Sequence, residues 1–183
     1  EYKLPLHFLT GWTAGFTVVP RMRQLFKYRS ARIKCDIKQI QATAEQPRQK
    51  VLVSGSTGMI GLQLCAFLET AGHDVYRLLR PNTKLRADVN IEKTVRWNDH
   101  TGEILSGDMN GFDSVIHLAN IANDPGVELN TDLSWEVNVL ATYKLAELAA
   151  TAKVQNFIYA SSGSVYGVKD EEQVTEDLSL VPI

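Results

Sequence analysis

Three glycines spaced three residues apart, Gly55, Gly58 and Gly61, follow the apolar run Val51 to Val53 and open a segment of helical periodicity. Strand, glycine turn and helix are the three parts needed to hold a dinucleotide's pyrophosphate. Gly55 permits the tight turn, Gly58 lets the backbone come close to the phosphates, and Gly61 lets the helix pack tightly on the sheet. Unpaired N–H groups of the helix's first turn then point at the anion. Ser56, Thr57, Met59 and Ile60 complete the set of candidate binding positions in this turn. A bare glycine pattern is weak evidence, and the strand before and helix after it give this one its weight.

The end of the next strand chooses between two cofactors. An acidic residue there binds the ribose 2′-OH of NAD, whereas arginine accommodates the 2′-phosphate of NADP. This chain carries Arg77 and Arg80 and no carboxylate at that place, so NADP is favoured, with NAD the second choice. Further along, His117, Leu118, Ala119 and Asn120 end another apolar strand, and ligands of open parallel sheets sit beyond the carboxyl ends of the strands. His117 is expected to be packed or bonded to the backbone, not to carry protons. Asn138, a polar amide in an apolar helical stretch, must find a partner if buried and is expected to support the site. Ser161, Ser162 and Ser164 close a fifth apolar run, which on its own could be an ordinary polar strand end.

The elements that would position these residues alternate. Strands are expected at 51–54, 75–79, 94–97, 114–118 and 156–160, with helices at 59–71 and 133–152. That alternation implies a parallel sheet with right-handed crossovers, an α/β Rossmann-type doubly wound fold. Upstream, residues 4–20 are expected to form a strand and turn. Pro20 then suits the first position of a helix reaching about residue 44, with Met22, Phe26, Ile33, Ile37, Ile40 and Ala44 on one stripe and basic residues between them. The segment 43–50, with Pro47, reads as a linker, so residues 1–46 and 47–183 are expected to be separate modules.

Composition limits the function classes. With 183 residues and 44% hydrophobic content the chain can bury a core, and a net charge of −2 gives no field for nucleic acid. The charge is unevenly placed. Residues 20–50 carry nine Lys or Arg against Asp36 and Glu45, while residues 51–183 sum to −9. Cys35 and Cys65 are far apart with no ligand spacing, so no disulfide framework and no metal site is expected, and a cytoplasmic setting fits. The apolar stretch 4–20 falls short of the ~20 residues a membrane span needs. It also contains His7, two glycines and three threonines. The expected partner is therefore a small-molecule substrate, without membrane or nucleic acid, and a homodimer is allowed.

The segment Ser54 to Gly61 resembles the T-G-x-x-G-x-I-G signature of extended short-chain dehydrogenases/reductases. His117 to Asn120 resembles their H-x-A-A or H-L-A-G segment, and Val137 to Thr142 their V-N-V-x-G-T helix. Ser161 to Gly167 is similar to the S-S-x-x-V-Y-G motif of NAD-dependent epimerases and dehydratases. The resemblance implies hydride transfer between a nicotinamide and a sugar-nucleotide or other small hydroxyl or carbonyl substrate. It places Ser162 at the catalytic serine position, Ser161 beside the nicotinamide, and Asn138 behind the site backbone. It also implies a Tyr-x-x-x-Lys pair, which residues 1–183 do not contain, so the chain is expected to stop before its catalytic base and to be inactive as it stands. The alternative is a non-catalytic NADP-binding module for redox sensing or interaction. Val95 to Ile104 and Gly111 to Ala119 resemble epimerase-like proteins fused behind a START-like (polyketide-cyclase-type) domain, which makes residues 1–46 a remnant of such a domain. Asn123 to Gly126 and Asn138 depart from that subgroup's pattern and leave the substrate class open.

Overall fold

The computed structural model describes residues 7–84, 87, 89–122, 129–170 and 173–182, with side chains from residue 18 onward. The chain divides into two compact units, Glu1–Pro47 and Arg48–Ile183.

The first unit contains one helix, α1 (His7–Ala42), 36 residues long with Pro20 in its interior. This corrects the expected strand and turn over residues 4–20. The chain is helical from His7, and residues 4–6 lie outside the described residues. The physical reason is hydrogen-bond satisfaction. A strand without a partner leaves its N–H and C=O groups unpaired, whereas a helix pairs them within the segment, and Pro20 removes only one donor from that ladder. The stripe expected on this helix is exposed: Met22, Phe26, Ile33 and Ile37 all face solvent. Among the described residues no helix is long and apolar enough to cross a membrane.

The second unit is a six-stranded sheet with strands β1 (Lys50–Ser54), β2 (Asp74–Leu79), β3 (Thr94–Trp97), β4 (Ile104–Ser106), β5 (Ser114–His117) and β6 (Asn156–Tyr159). The order across the sheet is β4-β3-β2-β1-β5-β6. All neighbours are parallel except β3 and β4. Parallel neighbours need long crossovers, supplied here by α2 (Met59–Thr70) between β1 and β2 and by a helical segment between β5 and β6. That segment comprises α3 (Thr131–Trp135), a wide π-type turn (Glu136–Leu140) and α4 (Ala141–Thr151). The sequence predicts one unbroken helix over 133–152. The interruption falls where Asn138 reaches across to the backbone of Ile121.

The sheet is covered on both faces, and alternation along β1 shows how. Leu52 packs with Leu78, Val115, Ala141 and Leu145. Its neighbours Val51 and Val53 join Cys65 of α2 and Val75 in a second cluster. Successive strand residues point to opposite faces, so a continuous apolar run is what a strand buried on both sides requires. Chain direction diverges at β1 and β5, with β2 on one side and β6 on the other. A crevice opens at the carboxyl ends of such a pair.

Candidate functional site

A cleft of about 430 Å³ lies at that divergence. Its floor is the turn after β1. Gly55 has φ +66°, and a Cβ there would sit 2.8 Å from the Ala119 nitrogen and from the Leu118 carbonyl carbon. Only glycine fits so close to a neighbouring strand in the left-handed region. Gly61 marks the contact between α2 and the turn, since a Cβ there would lie 2.2 Å from the Gly55 oxygen. Gly58 differs. It caps α2 in an extended conformation at φ −76° and ψ 172°, which any L residue adopts.

Helix α2 begins its ladder with Leu62 N–H bonding to the Gly58 carbonyl, at 3.0 Å. The N–H groups of Met59, Ile60 and Gly61 precede that first bond and are free to meet an anion at the helix N-terminus. The structure places Gly55, Ser56, Thr57 and Gly58 in the cleft wall. Met59 and Ile60 are largely exposed beside it, and Gly61 lies beneath it against the turn.

The facing wall is the segment after β5. Leu118, Ala119, Asn120 and Ile121 line the cleft, with His117 buried at their root. Two amides tie this segment down. Asn120 Nδ2 donates to the Ala160 carbonyl at 3.2 Å. Asn138 accepts from Ile121 N–H through Oδ1 at 2.8 Å and donates to the Ile121 carbonyl through Nδ2 at 3.0 Å. Asn138 does not line the cleft and holds one of its walls. Two buried polar atoms of cleft-lining residues, Ser56 Oγ and Asn120 Oδ1, have no hydrogen-bond partner among the described residues. Buried polar atoms are almost always paired, so these two call for a bound group that can donate to them.

Arg80, expected at this place, lies on the rim after β2, and three residues that the motifs do not mark join it: Thr83 after β2, Trp97 at the end of β3 and Asp99 just beyond it. Asp99 is buried, at 9% exposure. The rule that ligands meet strand carboxyl ends would have found all three. Arg96 straps the loop after β2 by donating to the carbonyls of Arg80 (3.2 Å), Pro81 (2.7 Å) and Thr83 (3.4 Å). Arg77, in contrast, turns away to pair with Glu69 of α2 at 2.9 Å. Of the two arginines expected near a ribose, Arg80 alone lines the cleft.

The end of β6 is built differently. Ser161 and Ser162 are exposed and are not part of the cleft wall. Ser162 caps a short 3₁₀ turn (Gly163–Tyr166), its Oγ accepting from Ser164 N–H at 3.2 Å. Asn123 to Gly126 lie outside the described residues. No group of three or more His, Cys, Asp or Glu that could hold a metal occurs among the described residues.

Residues 51–183 match the model of the NAD dependent epimerase/dehydratase family. Among curated proteins, the uncharacterized UDP-glucose epimerase YtcB of Bacillus subtilis is 31% identical over 149 residues, covering 73% of this chain and 46% of the relative. A 3 beta-hydroxysteroid dehydrogenase/Delta 5-->4-isomerase of Mycobacterium tuberculosis is 34% identical over 121 residues, 63% of this chain and 32% of the relative. The chain thus spans less than half the length of either. Among solved structures, the nucleoside-diphosphate sugar epimerase of Corynebacterium glutamicum superposes with a TM-score of 0.61 at 28% identity, over 81% of this chain and 30% of that one. MoeE5 in complex with UDP-glucose and NAD superposes at 0.53 with 28% identity, over 73% and 42%.

Proposed function

The chain belongs to the NAD dependent epimerase/dehydratase family, and from that premise we propose that its cleft binds a nicotinamide dinucleotide for an epimerase/dehydratase-type oxidoreductase. The observation that carries this reading is the pair of orphaned buried atoms, Ser56 Oγ and Asn120 Oδ1, in a cleft walled by a glycine turn in which Gly55 and Gly61 leave no room for side chains. A dinucleotide supplies what such a cleft lacks. Its pyrophosphate suits the free N–H groups of the turn and of the first residues of α2, and its hydroxyl and amide donors suit the two unpaired oxygens.

When bound, the nicotinamide would accept a hydride from, or return one to, a substrate carbon bearing a hydroxyl or carbonyl. The chain's own part is to orient and to exclude water. Gly55, Ser56, Thr57 and Gly58 would hold the phosphates, with Met59 and Ile60 flanking them. Leu118, Ala119 and Asn120 would line the nicotinamide and ribose side, with Asn138 fixing their backbone. Ser162 would hydrogen-bond the reacting oxygen, with Ser161 beside the nicotinamide. A sugar nucleotide is the favoured substrate class, supported by the UDP-glucose bound to MoeE5. The steroid dehydrogenase relative keeps another small hydroxyl substrate in view. Arg80 at the rim, with no carboxylate at the end of β2, supports NADP over NAD. Residues 1–46 are proposed as a module of their own, supported by the compact unit Glu1–Pro47 and by the resemblance to a START-like domain.

Titration of the purified chain with NADPH and NADH, followed by nicotinamide fluorescence, tests the reading. Wild type should bind saturably and NADPH more tightly. Gly58→Trp should lose binding while remaining folded, because its backbone accepts a side chain and the nearest atom to a Cβ there is the Gly55 oxygen at 3.2 Å. A folded wild type that binds neither cofactor would refute the assignment. Equal affinities would remove the NADP preference alone.

A further inference from the structure

His117 is buried at the centre of the unit, at 1% exposure, and both its ring nitrogens are engaged. Nδ1 meets Ser54 Oγ, and Nε2 lies 2.9 Å from Thr142 Oγ1. Donor counting fixes the protons. Ser54 Oγ accepts from Leu118 N–H at 3.2 Å and from Ala119 N–H at 3.3 Å, which occupies its two lone pairs. Its own hydrogen is therefore donated to His117, so Nδ1 is bare. Thr142 Oγ1 donates to the Asn138 carbonyl at 2.8 Å and must accept from His117, so Nε2 carries the hydrogen. The result is one directed chain from the cleft-wall N–H groups through Ser54, His117 and Thr142 to Asn138, whose amide closes back on Ile121.

We infer that His117 is a positioning residue for dinucleotide binding, its neutral Nε2–H tautomer being what holds the Leu118–Ile121 wall against the glycine turn. This rests on the cofactor reading above. A doubly protonated ring would aim an N–H at a hydroxyl whose acceptor sites are already taken. Ser54 Oγ would then have to release a wall N–H: Leu118 N–H also reaches the Ser54 carbonyl at 3.4 Å, so Ala119 N–H is the one that would lose its partner, and the wall would loosen beyond Leu118. Among the described residues, the elements packed on the ring supply no compensating charge. From β6 come Phe157 and Tyr159, with centroids at 6.3 and 5.6 Å, from β1 Ser54, and from α4 Thr142. Burial is the cause that lowers the His117 pKa to about 4, so the neutral form is present at physiological pH.

The experiment combines ¹⁵N NMR of the imidazole nitrogens with NADPH titration of four variants. Wild type should show a bare Nδ1 and a protonated Nε2. Ser54→Ala should weaken NADPH binding about tenfold, the effect of losing one to two hydrogen bonds behind the wall. Ser54→Thr should restore both affinity and tautomer. Should Ser54→Ala fail to fold, Thr142→Val at the half-buried start of α4 releases the other end of the ring, and it should weaken binding several-fold while Thr142→Ser restores it. An Nδ1–H tautomer, or folded Ser54→Ala or Thr142→Val variants binding as wild type does, would overturn the inference and leave the cofactor reading standing. Failure of wild type to bind would overturn both.

Discussion

The two strand ends flanking the cleft differ in how they are held. At β1 the glycine turn is wedged between β5 and α2, with buried Ser54 and Ser56 and approaches so close that a single methyl would collide. At β6 the polar residues that resemble a catalytic segment are exposed, and Ile158 and Tyr159 before them are 53% and 41% exposed. The end proposed to bind the cofactor is thus tightly packed, whereas the end proposed to do chemistry has little packed over it among the described residues. Binding and turnover should be separable in this chain.

The largest expected effect breaks the packed side. Gly61→Ala places its Cβ 2.2 Å from the Gly55 oxygen and 2.7 Å from the Ser56 Cα, both backbone atoms that cannot swing away. Overpacking of this kind costs about 1–3 kcal/mol or more. Thermal unfolding should show a Tm lower by roughly 5–10 °C, with NADPH binding lost as well. By contrast, Gly58→Trp should lose binding with its Tm nearly unchanged.

The pH dependence of stability sharpens the same contrast. His117 titrates near 6.5 when unfolded and near 4 when folded. Below 6.5 the unfolded chain therefore binds the extra proton first. The stabilisation is full above pH 6.5 and is lost progressively as pH falls toward 4, by about 3 kcal/mol at ~1.36 kcal/mol per pKa unit. Urea unfolding at pH 7 and pH 4.5 should reveal most of this loss, and His117→Phe should flatten it. Equal pH slopes in the two proteins would count against a buried neutral histidine.

A gentler probe compares the two ends without mutation. Amide hydrogen exchange should be slow at Val53 and Val115 in the central strands and faster by orders of magnitude at Val165 and Gly167 in the 3₁₀ turn. The smallest effect concerns the rim. Arg96→Met removes three bonds to loop carbonyls, and it should weaken NADPH binding a few-fold while shifting Tm by no more than about 1–2 °C, since the side chain is partly exposed.

Much of this was legible because it rests on local pattern. The run Val51 to Val53 and the spacing of Gly55, Gly58 and Gly61 fix a strand, a turn and a helix within eleven residues, and β3 falls on the expected residues 94–97. What was not legible depends on partners. Residues 7–20 pair with no strand among the described residues and are helical. The edge strand β4 is three residues long with two exposed, which leaves no alternation to see. The roles of Ser54, Arg96, Asp99 and Thr142 arise where distant segments meet at the strand ends. Arg77 and Arg80 look equivalent in sequence, and they part because Arg77 sits within β2 and pairs with Glu69 on α2, whereas Arg80 lies past the strand's carboxyl end.

The most direct test of the central claim is a crystal structure of the chain grown with NADPH. The pyrophosphate should lie against the N–H groups of Met59 and Ile60 at the start of α2, with ligand donors within hydrogen-bond reach of Ser56 Oγ and Asn120 Oδ1. A dinucleotide bound elsewhere, or a cleft in which those two oxygens are paired by protein groups and no cofactor enters, would contradict it.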